Sequence, residues 1–146
     1  MTETATARPT ALTQDDPTFV GGVTPYINVG DANAAAAFYA RAFGAQEIQR
    51  VPAQDGKRLI HCHLRINDGP LMLNDAFPEL GHPLEKPQSF MLHLQVGDAK
   101  AWWDRAAAAG MEIVTPLDVQ FWGDLYGQLR DPFGILWSIG GPADPA

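Results

Sequence analysis

The sequence predicts an α+β fold: two copies of a βαβββ unit forming a curved mixed sheet around a central cleft, with the helices on its convex side. Three observations predict it. The tetrapeptide Val29-Gly30-Asp31-Ala32 recurs as Val96-Gly97-Asp98-Ala99, and self-similarity on this scale marks a duplicated supersecondary unit. An Ala-rich stretch follows each copy and ends in glycine, at Gly44 and Gly110. Segments of alternating apolar and polar residues, closed by turn-forming residues, flank both stretches in the same order.

The elements follow in chain order. Residues 1–18 are rich in Thr and Ala and lack apolar periodicity, so a disordered or loosely packed tail is expected ahead of a single domain over residues 20–141. Within it, repeat one spans 22–75, a linker 76–88 and repeat two 89–140. In the first strand, Val23, Pro25, Ile27 and Val29 make the apolar face, and Thr24, Tyr26 and Asn28 point the other way. Asp31 and Asp98 stand where an N-cap belongs, since a carboxylate accepts from the free N–H groups of a first helical turn and complements the helix dipole. Alanine propensity then predicts helices over 32–42 and 99–109. Ala35, Phe38 and Ala42 share a face of the first, and Trp102, Ala106 and Ala109 a face of the second. Trp103 is expected to point elsewhere, as an interface residue. Gly44 and Gly110 supply the left-handed stop.

Strands are expected at 46–51, 58–66 and 71–74 in the first unit, with a turn-rich break at 52–57 and a turn at Asn67-Asp68-Gly69-Pro70. Along 58–66, Ile60, Cys62, Leu64 and Ile66 alternate with His61, His63 and Arg65. The linker carries Pro78, Pro83 and Pro87 and is expected to lack regular structure; its His82 takes no role. In the second unit, Phe90, Leu92, Leu94 and Val96 oppose Ser89, Met91, His93 and Gln95. Strands at 112–115, 125–130 and 135–139 follow. The last two are joined by Asp131-Pro132-Phe133-Gly134, whose Asp, Pro and Gly suit the first, second and fourth places of a type I turn.

Composition narrows the function. Lys and Arg number 10 against 17 Asp and Glu, a formal charge of −7. That balance disfavours nucleic acid and anionic membrane surfaces, which need a basic footprint. No apolar run reaches the roughly 18 residues of a spanning helix. Cys62 is the only cysteine, so no intrachain disulfide forms, and on a strand it reads as a small buried hydrophobe. With no export signal in the sequence, a cytoplasmic protein is expected.

If helices cover the apolar faces, the mixed faces line the cleft: Tyr26, Asn28, His61, His63, Arg65, Met91, His93 and Gln95. A few convergent polar groups among aromatic and apolar walls is the usual makeup of a ligand site. Trp122 and Tyr126 either close over a ligand by stacking or belong to the core or a dimer contact.

The ordered motifs resemble the vicinal oxygen chelate superfamily, which includes glyoxalase I, fosfomycin and bleomycin resistance proteins and extradiol dioxygenases, and in detail its PhnB-like branch. They are Thr24-Pro25-Tyr26-Ile27-Asn28-Val29, Ala37-Phe38-Tyr39 with Ala42-Phe43-Gly44, Leu71-Met72-Leu73-Asn74-Asp75 with Phe77-Pro78-Glu79, and the most specific run, from Phe121-Trp122-Gly123-Asp124-Leu125-Tyr126-Gly127 to Arg130-Asp131-Pro132-Phe133-Gly134. The resemblance implies a divalent metal acting as a Lewis acid, with ligands seven residues before each capping Asp and four after each turn glycine. Those places hold Thr24, Met91, Leu73 and Ser138, a poor ligand set for Zn, Ni, Mn or Fe. No cofactor is therefore expected there. A divalent metal would need a displaced site built from His61, His63 and His93, which are also the candidates for acid–base work.

Three functions stay open: a protein that binds a small molecule without turnover, with Ser138 among the lining residues; a glyoxalase-like lyase or dioxygenase using the displaced histidines; and an interaction module with a vestigial cleft. A homodimer is expected under all three.

Overall fold

The computed structural model describes residues 21–144; the tail expected over 1–18 lies outside them. The element order is β1 (Tyr26–Val29), α1 (Ala32–Phe43), β2 (Gln46–Pro52), β3 (Leu59–Ile66), β4 (Gly69–Asp75), β5 (Leu92–Gln95), α2 (Ala99–Ala109), β6 (Glu112–Val119), β7 (Asp124–Arg130) and β8 (Leu136–Pro142). This is βαβββ twice. Each unit makes its own four-stranded mixed sheet, ordered β1-β4-β3-β2 and β5-β8-β7-β6. In each sheet the first and last strands of the unit pair in parallel and the others antiparallel. The two sheets stay separate and open.

The helix boundaries follow from the caps. Asp31 accepts from the Ala34 amide at 3.0 Å and Asp98 from the Ala101 amide at 3.1 Å, each meeting one otherwise free donor of a first turn. Gly44 (φ 67°) and Gly110 (φ 111°) end the helices in the left-handed region.

The units pack through their helix sides into one core. Phe38, Tyr39 and Phe43 of α1 meet Phe133 and Trp137 of the second unit, with Phe43 and Trp137 centroids 4.7 Å apart. Each such ring buries on the order of 150–250 Å², so this cluster carries much of the contact between units. Three polar ties accompany it, one of them from the Asn67 side-chain amide to the Gln95 carbonyl at 3.0 Å. Tyr39 donates its hydroxyl to the buried carboxylate of Asp131. Arg105 of α2 donates to the carbonyls of Arg41 and Ala40 at the end of α1, at 2.8 and 3.2 Å.

Several elements differ from the sequence expectation. Trp103 is a core residue rather than an interface one: Gly127 on β7 leaves room for its indole, because a Cβ there would lie 2.5 Å from the ring. Trp102 is the half-buried one, stacked on Phe43. Ile60 is 49% exposed although its parity assigned it to the core. A bulge explains this: Val51 pairs with His61 but Pro52 with Leu59, so the alternation skips a residue. Val23 and Phe90, assigned to apolar faces, precede their strands and are exposed. β6 runs through Pro116 to Val119, which an edge strand tolerates. The linker holds a short 3-10 turn, Pro78–Leu80.

Candidate functional site

Opposite the shared core, each sheet keeps an open face. On the first unit it carries Tyr26, Asn28, His61, His63 and Arg65, all as the alternation placed them. The Tyr26 hydroxyl lies 2.8 Å from His61 Nδ1, and Asn28 donates to the Asn74 side-chain oxygen. His63 is buried, and desolvation, followed by the neighbouring His61, lowers its pKa. Tyr26 is pushed up, mainly by burial. Arg65 faces Asp68 at 3.7 Å across an exposed turn, a pair that contributes little.

The open face of the second unit is more tightly knit. His93 is bracketed by Ser138 (Nδ1 to Oγ, 2.7 Å) and Gln95 (Nε2 to Oε1, 2.9 Å). With the amide oxygen accepting, Nε2 carries the proton and Nδ1 accepts from the serine hydroxyl. Tyr126 stacks on His93 with centroids 6.1 Å apart, Trp122 meets Tyr126 edge-on at 6.3 Å, and the Tyr126 hydroxyl donates to Met91 Sδ at 3.4 Å. Gly140 leaves room for the imidazole, since a Cβ there would come within 3.1 Å of His93 Cε1. Trp122 is 53% exposed at the hairpin tip, so it is not a core residue.

Sequence reasoning missed Gln128, which donates to the Tyr126 hydroxyl at 3.2 Å; the alternation from Tyr126 would have found it. Leu73 is a correction. It is fully buried on the helix side, and the open-face residue of β4 is Met72, opposite Tyr26, just as Ser138 stands opposite His93. The two turns explain the slip. Asn67 and Asp68 both take positive φ, so Gly69 already belongs to β4, whereas Gly134 is still in the turn before β8. A shift of one residue exchanges the faces.

His61 and His63 lie on one sheet and His93 on the other, and their side-chain partners stay within their own units. Among the described residues no three His, Cys, Asp or Glu side chains gather closely enough to hold a metal ion, so the displaced three-imidazole site does not form within one chain. The inherited positions do not fit a metal either. They offer the thioethers of Met72 and Met91, the Thr24 hydroxyl, and a fully buried Ser138 hydroxyl engaged with His93, not the imidazole and carboxylate donors that hold catalytic divalent ions. Tyr26, Ser138 and Gln95 hold the rings of His61 and His93 without a carboxylate, an arrangement that fixes the two rings in orientation on their open faces.

The model of the Glyoxalase/Bleomycin resistance protein/Dioxygenase superfamily matches residues 20–139. The chain belongs to that superfamily. An uncharacterized protein of Mycobacterium bovis is 46% identical over 126 residues, covering 82% of each chain. A crystal structure from Pseudomonas aeruginosa superposes with a TM-score of 0.69 at 25% identity, over 84% of this chain and 98% of that one. The PhnB protein of Bacillus cereus shares the fold, with a TM-score of 0.67 at 17% identity over 83% and 99% of the two chains. No helix of the described residues is long and apolar enough to cross a membrane.

Proposed function

We propose that this superfamily member binds a small molecule without turning it over, as a cytoplasmic homodimer of the PhnB-like branch. The ligand sits on the open face of the second unit, against His93, Tyr126 and Trp122. The open face of the first unit of a second copy closes over it, bringing Tyr26, Asn28 and His61. One observation carries this reading. The helix sides of the two units are used up in a common core through Tyr39, Phe43 and Trp137, while the polar-aromatic clusters of the two open faces have no side-chain partners in each other. A second copy would complete both hollows at once, because a two-fold contact is self-complementary. The unsuitable donor set at the inherited metal positions supports binding over catalysis.

Three measurements test this on the full chain. Sedimentation is expected to give a dimer. A panel of ring-bearing small molecules is expected to yield one that raises the melting temperature, binds once per chain and is recovered unchanged, with the shift lost in His93→Ala and Tyr126→Ala. Stoichiometric Ni, Zn or Fe, lost in His61→Ala or His93→Ala, would overturn it in favour of a lyase or dioxygenase. A panel without effect would leave the cleft vestigial.

A further inference from the structure

At the hairpin end of the first unit lies a second hollow, of about 600 Å³, between the β2–β3 loop, the end of β4 and the 3-10 turn. Its size is that of a small-molecule pocket. Its walls are mostly apolar: Ile60, Phe77 and Leu80, the first 49% and the last 68% exposed. The bulge is what turns Ile60 toward it. Bulges of this kind re-aim a side chain and recur next to functional sites.

The opposite wall is fixed and electrically spoken for. Arg58 lies over the Phe77 ring, 4.4 Å from its centroid. Its guanidinium donates to Asp55 at 2.7 Å and reaches both oxygens of Glu79, at 3.1 and 2.7 Å. Asp55 in turn accepts from the Lys57 and Arg58 amides, each at 2.9 Å. One cation faces two carboxylates, so the Arg58 guanidinium is not free to pair with an anion; His82 also lines the hollow. Asn74, at the inner end, receives the Asn28 donor on its oxygen, which leaves its NH2 group to donate to a ligand.

We infer that this hollow is a second binding site, for an uncharged, mainly apolar molecule of one or two fused rings, bearing at most a neutral acceptor for Asn74. It goes beyond the proposed cleft and uses none of the His93, Tyr126 or Trp122 side chains.

Two fluorescent probes that share a naphthyl-phenylamine body separate the alternatives: neutral N-phenyl-1-naphthylamine and its sulfonate, 8-anilinonaphthalene-1-sulfonate. The full-length protein is expected to bind the neutral probe saturably, once per chain, and the sulfonate about fivefold more weakly through repulsion by Asp55 and Glu79. Leu80→Asp, at a site too exposed to affect folding, weakens the neutral probe about tenfold by removing an apolar contact, and Ile60→Asp abolishes binding. Glu79→Gln removes one of the two carboxylates beside Arg58 and narrows the gap between the probes. Tyr126→Ala leaves the neutral probe bound even where it removes the ligand of the proposed cleft. Three results would overturn the inference: no saturable binding, equal or tighter binding of the sulfonate, or loss in Tyr126→Ala without loss in Leu80→Asp.

Discussion

The two units share a backbone plan but anchor it with different buried carboxylates. In the first, Asp75 accepts from the Ala32 amide at 2.9 Å and the Leu59 amide at 2.7 Å, tying the start of α1 to the start of β3 within the unit. In the second, Asp131 accepts from the Phe133 and Ile135 amides at 2.9 and 3.0 Å and from the Trp137 indole at 2.9 Å, and also from the Tyr39 hydroxyl of the other unit. One anchor closes a unit on itself; the other joins unit to unit. The two units share a strand order but differ in their buried polar ties.

Substitutions at the two anchors sharpen or break that contrast. Asp131→Ala strands several buried donors and is expected to cost roughly 3–5 kcal/mol in urea unfolding, while Asp75→Ala is expected to cost roughly 1–3 kcal/mol. Equal costs would remove the distinction. Gly127→Ala forces a Cβ against Trp103 and the Leu117 backbone and is expected to destabilise by about 1–3 kcal/mol through overpacking. Tyr39→Phe removes one polar tie between units, the hydroxyl donated to Asp131, and is expected to cost about 1–2 kcal/mol, with no change in helix content by circular dichroism.

Smaller effects come from titration and reactivity in the first unit. Burial holds His63 below its ordinary value of 6.5. As the pH falls through about 6.5 the unfolded chain takes up this proton before the folded one, so stability declines there and is intact above it. His63→Asn is expected to flatten the fall in melting temperature between about pH 7 and pH 5. The Cys62 thiol is pushed up to about 11, first by burial and then by Glu47, so at pH 8 it is expected to stay unreactive toward a disulfide reagent until urea unfolds the chain.

Much of the frame was legible because local chemistry set it. Asp31, Asp98, Gly44 and Gly110 bounded both helices, the second to the residue. Alternation put Tyr26, Asn28, His61, His63, His93 and Gln95 on open faces. What escaped depended on contacts distant in sequence or on register. Nothing local tells Trp102 from Trp103; the void above Gly127 decides it. Ile60 and Leu73 were misplaced by a bulge and by a tighter turn, each worth one residue in a period of two. Asp131 was legible as a turn former but not as the acceptor for Tyr39, because that partner stands on the other unit. The three histidines that a displaced metal would need stay apart for a related reason: facing strands were identified, but the side by which the two units join was not.

The arginine that α2 extends to Arg41 and Ala40 has a practical corollary. Each half finishes the other, so neither unit is expected to fold when trimmed from its neighbour. Residues 22–75 produced alone would carry the bare aromatic rings of Phe38, Tyr39 and Phe43, whereas a chain severed among the linker prolines should reassemble from its two fragments.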